Sequence, residues 1–272
     1  MWKEINQHQA KGAYRDEGQG SAVVLLHGFP ENNEIWDQQA AGLSQRYRVI
    51  LPDLPGSGRS PIATPLTIDT MAEFVIAILQ QENINSAVVI GHSMGGYVAL
   101  GIAALQPSLV KGLGLFHSTA LADADEKKEA RRKSIKLMEQ YGSEAFVRQA
   151  LPAMFSPATR SAHPELVEDY INMGARCQQE TLIGYYEAMI DRPDRTAVLE
   201  DARFPVLFVM GKDDTAVPMN TIWPQAVLPA TSSIHVFNHT GHMGMWESTT
   251  ASSQVLQEFI DFSSQLHFTN QS

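Results

Sequence analysis

Ala87-Val88-Val89-Ile90-Gly91-His92-Ser93-Met94-Gly95-Gly96 carries the strongest structural signal in this chain. It opens on a short, apolar, β-branched run of the kind a fully buried parallel strand requires. The chain then turns sharply through Gly91 to Gly95. It continues as Tyr97-Val98-Ala99-Leu100-Gly101-Ile102-Ala103-Ala104-Leu105, a predicted helix ended by Pro107. A glycine two residues either side of Ser93 removes the Cβ atoms that would clash in a tight strand-to-helix turn. Ser93 can then take up strained backbone geometry with its hydroxyl exposed at the top of a sheet.

The bulk numbers bound what surrounds this turn. The chain has 272 residues, 44% hydrophobic and 18% charged, enough for one well-cored domain with an inserted subdomain. A formal net charge of -10 argues against nucleic acid or an anionic membrane as partner. The single cysteine, Cys177, rules out an intrachain disulfide framework and a multi-cysteine metal site. The N-terminus has no apolar core for a signal peptide, and no run approaches the length of a membrane span. The expectation is a cytoplasmic protein, monomer or homodimer, acting on a small molecule.

Outward from the turn, apolar runs alternate with helical patterns. Residues 2–15 read as a short antiparallel pair closed near Lys11-Gly12. Strands are expected at Ala22-Val23-Val24-Leu25-Leu26, Val49-Ile50-Leu51, Gly112-Leu113-Gly114-Leu115-Phe116, Pro205-Val206-Leu207-Phe208-Val209-Met210 and Ile234-His235-Val236-Phe237. Between them, Thr67 is a good N-cap for a helix with Ile68, Met71, Phe74, Val75, Ile78 and Leu79 on one face. Such alternation implies an α/β protein with a mainly parallel central sheet and helices on both faces. The character changes over 121–199, where only helical stretches appear, opened by a polar helix with acids first and bases later. This reads as a helical cap over a core made of 1–120 and 200–272.

A serine hydroxyl is a poor nucleophile at neutral pH, so Ser93 needs a base, and the base an orienting carboxylate. Four motifs in order resemble the α/β-hydrolase family over nearly the whole chain: His27-Gly28-Phe29-Pro30, the turn around Ser93, Gly211-Lys212-Asp213-Asp214-Thr215-Ala216-Val217-Pro218, and Gly241-His242-Met243-Gly244-Met245-Trp246-Glu247. The resemblance implies the α/β-hydrolase fold, with Ser93 as nucleophile, Asp214 as acid and His242 as base. Asp213 is the rival for the acid and His239 for the base. The N–H groups of Phe29 and Met94 would hold the oxyanion. His27 would brace its loop, Asp53 would serve a structural turn, and His92 would pack below the site. His117 leaves the sheet beside the elbow strand and is a candidate for the substrate pocket, against the alternative of a buried, capped histidine. A metal held by His235, His239 and His242 is weighed and set aside for want of an acidic or cysteine ligand; no cofactor is implied.

Together these features point to hydrolysis of a small ester or related acyl compound. Lactonase, thioesterase and perhydrolase activities, and hydrolysis of a carbon–carbon bond in a diketone or dienoic ketone, are alternatives within the same frame. So is a receptor-like protein binding a small signal. Serine rather than aspartate at position 93 argues against haloalkane dehalogenase and epoxide hydrolase chemistry.

Overall fold

The computed structural model describes residues 1–7 and 10–269, with eight strands: β1 (Trp2–Gln7), β2 (Ala10–Glu17), β3 (Ala22–Leu26), β4 (Arg48–Pro52), β5 (Ala87–His92), β6 (Val110–Phe116), β7 (Val206–Gly211) and β8 (Ser232–Phe237). They form one sheet in the order β1-β2-β4-β3-β5-β6-β7-β8. The pairs β1–β2 and β2–β4 are antiparallel and every other pair is parallel. β5 is therefore central and buried at every position, as its unbroken apolar run requires.

Alternate side chains of these strands feed two cores. Val24, Leu26 and Val89 pack with Met71, Phe74 and Val98 of helices α2 (Ile68–Gln81) and α3 (Met94–Leu105). Val23, Leu25, Val88 and Ile90 pack on the other face with Trp36, Leu43, Leu256 and Phe259, the last three from α1 (Asp37–Leu43) and the long C-terminal helix Thr249–Thr269. A reciprocal capping box between Thr67 and Thr70 starts α2 where expected.

Two local elements differ from the sequence pattern. Lys11 and Gly12 lie inside β2, opposite Asn6 and Ile5, and not in the turn that closes the pair. Gly12 marks a close approach rather than a turn: a Cβ there would meet Ser60 Oγ at 2.4 Å and Phe74 Cζ at 2.8 Å. The elbow helix starts at Met94, three residues before the expected Tyr97, because the sharp backbone turn is confined to Ser93.

Between β6 and β7 lie α4 (Asp125–Tyr141), α5 (Ser143–Ala150), α6 (Pro157–Ala162), α7 (Pro164–Ala175), α8 (Gln179–Asp191) and α9 (Thr196–Glu200), with no strand among the described residues. They rest on loops at the carboxyl ends of the parallel strands. Tyr170 Oη lies 3.1 Å from the Phe29 carbonyl oxygen, Thr181 Oγ1 donates to that of Gly56 at 3.1 Å and Tyr185 Oη to that of Pro55 at 2.9 Å. Two one-turn helices, α10 (Met219–Ile222) and α11 (Gly244–Glu247), precede α12 (Thr249–Thr269). No helix among the described residues is long and apolar enough to cross a membrane.

Candidate active site

Ser93 joins β5 to α3 with φ 51° and ψ -116°, a conformation L-residues rarely adopt. Neighbouring elements hold it there. Its N–H donates to the Phe116 carbonyl at 3.0 Å, and its own carbonyl accepts from Ser118 Oγ at 2.7 Å and from the Gly96 N–H at 2.9 Å. The flanking glycines are required by space. A Cβ on Gly91 would lie 2.1 Å from the Gly95 carbonyl carbon, and one on Gly95 would lie 2.5 Å from the His27 carbonyl oxygen.

The loop after β7 carries Asp214 and the loop after β8 carries His242. His242 Nδ1 lies 2.8 Å from Asp214 Oδ2, and both side chains are buried. Asp214 Oδ1 accepts from the N–H groups of Ala216 and Val217, each at 2.9 Å. Burial works against its charge, but the two histidines beside it, His242 and His117, hold the carboxyl well below the usual carboxylate range. Asp213 is half-buried, and its N–H donates to the Thr240 carbonyl at 2.9 Å. Of the two neighbouring acids, Asp214 is the one brought to His242.

Ser93 and His242 line one cavity of about 150 Å³, beneath residues of α4, α5 and α8. Phe29 lines it too, and neither its N–H nor that of Met94 meets a protein acceptor among the described residues. A Cβ on Gly28 would lie 3.1 Å from Ser93 Cβ, which is how closely the loop after β3 approaches the serine.

Residues 21–249 match the family model described as the alpha/beta hydrolase fold. The chain belongs to the α/β-hydrolase family. A thermophilic esterase from Thermogutta terrifontis, solved with malate bound, is 27% identical and matches 97% of this chain and 99% of its own, with a TM-score of 0.90. An esterase from Exiguobacterium antarcticum is 25% identical and matches 93% of this chain and 98% of its own, with a TM-score of 0.85. A 2-hydroxy-6-oxononadienedioate/2-hydroxy-6-oxononatrienedioate hydrolase from Burkholderia vietnamiensis is 27% identical over 263 residues, 91% of this chain and 90% of that protein.

In this α/β-hydrolase the residues behind the cavity form a buried ionic frame that local spacing gave no reason to expect. His92 Nδ1 lies 3.0 Å from Glu31 Oε2, and Nε2 lies 2.9 Å from the His242 carbonyl oxygen. Both partners of the ring can act as acceptors, an arrangement that suits an imidazolium. Burial disfavours that charge, yet the Glu31 carboxylate outweighs burial and raises the His92 pKa. Burial likewise disfavours charge on Glu31, while the His92 ring and the Gly28 N–H bring its pKa below the ordinary value. Tyr170 Oη, from α7, donates to Glu31 Oε1 at 3.0 Å. Only the position of Glu31, directly after His27-Gly28-Phe29-Pro30, was available as a signal.

His117 does not face the cavity. It is fully buried with φ 50°, and its Nδ1 lies 3.0 Å from the Asp214 oxygen that also meets His242. Burial pushes its pKa down to about 4, leaving it neutral, and its Nε2 has no partner among the described residues. The left-handed backbone turns the ring behind the acid instead of into the pocket. His27 braces its loop as expected, with Nε2 accepting from the Leu54 N–H at 2.9 Å. Asp53 accepts from the N–H groups of Asn33 at 3.1 Å and Arg59 at 2.8 Å, a structural role.

His235 stands on β8 with Ser233, and His239 is exposed, so neither joins His242. Potential ligand atoms of His117, Asp214 and His242 do lie within 4.8 Å of one another. Their contacts are hydrogen bonds from two imidazoles to one carboxylate oxygen, which already occupy the Nδ1 atoms as donors.

Proposed function

We propose that this α/β-hydrolase is a serine hydrolase that cleaves a small ester or related acyl compound through an acyl-enzyme on Ser93. The carrying observation is that Ser93, on its strained turn, shares one cavity with His242, whose Nδ1 is 2.8 Å from buried Asp214. Ser93 Oγ attacks the acyl carbon as His242 takes its proton, and the free N–H groups of Phe29 and Met94 receive the developing oxyanion. Collapse expels the alcohol, which takes that proton from His242. Water, deprotonated by His242, then releases the acid and regenerates Ser93. Asp214 keeps the imidazole oriented and stabilises its cation throughout. The helices of 121–199 act as a cap that closes the cavity over a core of 1–120 and 200–272. Likeness to two esterases over almost the whole chain supports the ester reading.

A second reading, hydrolysis of a carbon–carbon bond in a dienoic ketone by the same three side chains, is favoured by the likeness to the Burkholderia dienedioate hydrolase. Relative kcat/KM on p-nitrophenyl esters and on such a ketone separates the two. The nucleophile is tested by intact mass after exposure to a fluorophosphonate. One adduct is expected on the wild type and none on Ser93→Ala, which also loses esterase turnover. Retained turnover in Ser93→Ala removes Ser93 from the mechanism.

A further inference from the structure

The cavity holding Ser93 and His242 is walled mainly by apolar and aromatic side chains, among them Phe29, Phe146 and Tyr186, yet two cations also line it. These are Lys127 and Arg131, one turn apart on α4. No aspartate or glutamate lines the same cavity. Behind these two cations lies Asp123, whose side chain is 1% exposed and which serves three cations. Arg131 Nε lies 2.6 Å from Asp123 Oδ2, Arg192 Nη2 lies 2.9 Å from Oδ1, and Lys127 Nζ stands 4.0 Å from Oδ1. Asp194 also senses Arg192, and Asp214 stands behind His242, so the carboxylates that balance these cations all lie outside the cavity lining.

Arg131 is held firmly and used incompletely. Its guanidinium sits 5.1 Å from the centroid of the Tyr186 ring, a cation–π contact, and only Nε is committed to Asp123. Among the described residues, Nη1 and Nη2 meet no protein acceptor. Lys127 Nζ donates to the Ala216 carbonyl at 2.9 Å, which fixes the ammonium at the rim of the same cavity with donors to spare. Charged donors left unmet in a partly desolvated pocket are unfavourable unless an acceptor completes them, and a carboxylate fits a guanidinium edge bidentately. An overall charge of -10 makes this local reversal of sign the more specific.

We propose that the cavity is built for an acyl compound bearing a second, anionic group, a carboxylate that Arg131 and Lys127 hold while the acyl carbon lies at Ser93. The half-ester of a short dicarboxylic acid is the simplest such substrate. This rests on the serine hydrolase reading: the ester C–O bond breaks, the alcohol leaves with the proton carried by His242, and water completes the dicarboxylate product.

The test compares kcat/KM for monomethyl glutarate with that for its neutral near-isostere, the methyl ester of glutaric acid monoamide. The wild type prefers the carboxylate by roughly tenfold to a hundredfold, the range for a charge-assisted hydrogen bond. In Arg131→Met this ratio falls towards one, and Arg131→Lys keeps part of it. Because Arg131→Met strips Asp123 of a partner, Lys127→Met, which leaves the Arg131–Asp123 pair intact, is the second variant and also lowers the ratio. A wild-type ratio near one, or a ratio unmoved by both Met variants, overturns the proposal while ester turnover itself upholds the serine hydrolase reading. If neither ester turns over and no fluorophosphonate adduct forms, that reading fails. Calorimetry then decides the anion site alone: glutarate binding that both Met variants weaken supports it, and wild-type binding no tighter than that of glutaric acid monoamide overturns it.

Discussion

Asp214 Oδ2 meets two imidazoles, and the two rings differ in what surrounds them. His242 faces the cavity, whereas His117 is sealed in the core and held neutral by burial, its pKa pushed down to about 4. An unfolded chain carries histidine with a pKa near 6.5, so between about 6.5 and 4 the unfolded state binds a proton that the native state refuses. Stability therefore falls as pH drops through that window, by on the order of 3 kcal/mol from His117 alone. His117→Asn keeps an amide donor for Asp214, tolerates the left-handed φ and carries no titrating group. Urea denaturation at pH 7 and pH 5 should give a smaller loss for this variant than for the wild type. Equal losses would assign the acid limb to other groups.

At the scale of elements, the elbow depends on how closely α3 lies against β3. A Cβ on Gly95 would come within 2.5 Å of the His27 carbonyl oxygen and 2.6 Å of the Leu26 carbonyl oxygen, both backbone atoms that cannot swing aside. Gly95→Ala is expected to cost about 2 kcal/mol or more. Gly42→Ala, in α1 with nothing within 4 Å of the added Cβ, should cost nothing or stabilise by about 0.5 kcal/mol. Urea midpoints read both, and equal effects would refute the close approach. Such elements were legible where burial on both faces leaves a continuous apolar run, as in β5 and β7, and where a cap residue such as Thr67 marks a start. The turn near Lys11-Gly12 was misread because a glycine needed for closeness looks the same in sequence as one needed for reversal. His117 was legible as a residue near the site, but its direction is set by a left-handed backbone that no motif announces. Glu31 and His92 are 61 residues apart, and local spacing carries no trace of such a pair. Lys127 and Arg131 sit in a charge run that resembles a solvated face, and only the placement of α4 over Ser93 turns them inward.

Across the whole molecule, Glu31 ties separate parts of the chain together: the Gly28 N–H of the loop after β3, His92 of the elbow and Tyr170 of α7, with His92 passing the connection to the His242 backbone. Glu31→Gln takes a charged acceptor from the Gly28 N–H, His92 and Tyr170 and is expected to cost about 1.5–3 kcal/mol. Tyr170→Phe deletes one hydrogen bond to a charged group and should cost about 1.5–3 kcal/mol. Because both variants act on the same contact, the double variant should fall short of the sum, measured by urea denaturation. Strict additivity would mean that α7 and the elbow are energetically independent.

The paired imidazoles on Asp214 also make the protein useful as bait. With His242 replaced by alanine, His117 still hydrogen-bonds the buried carboxylate, so the charge that removal of a sole partner would strand is not stranded. The Ser93 pocket then persists without its base, able to retain an uncleaved compound. Incubating His242→Ala with a metabolite extract and identifying by mass spectrometry what it carries through gel filtration would let the protein select its own natural ligand.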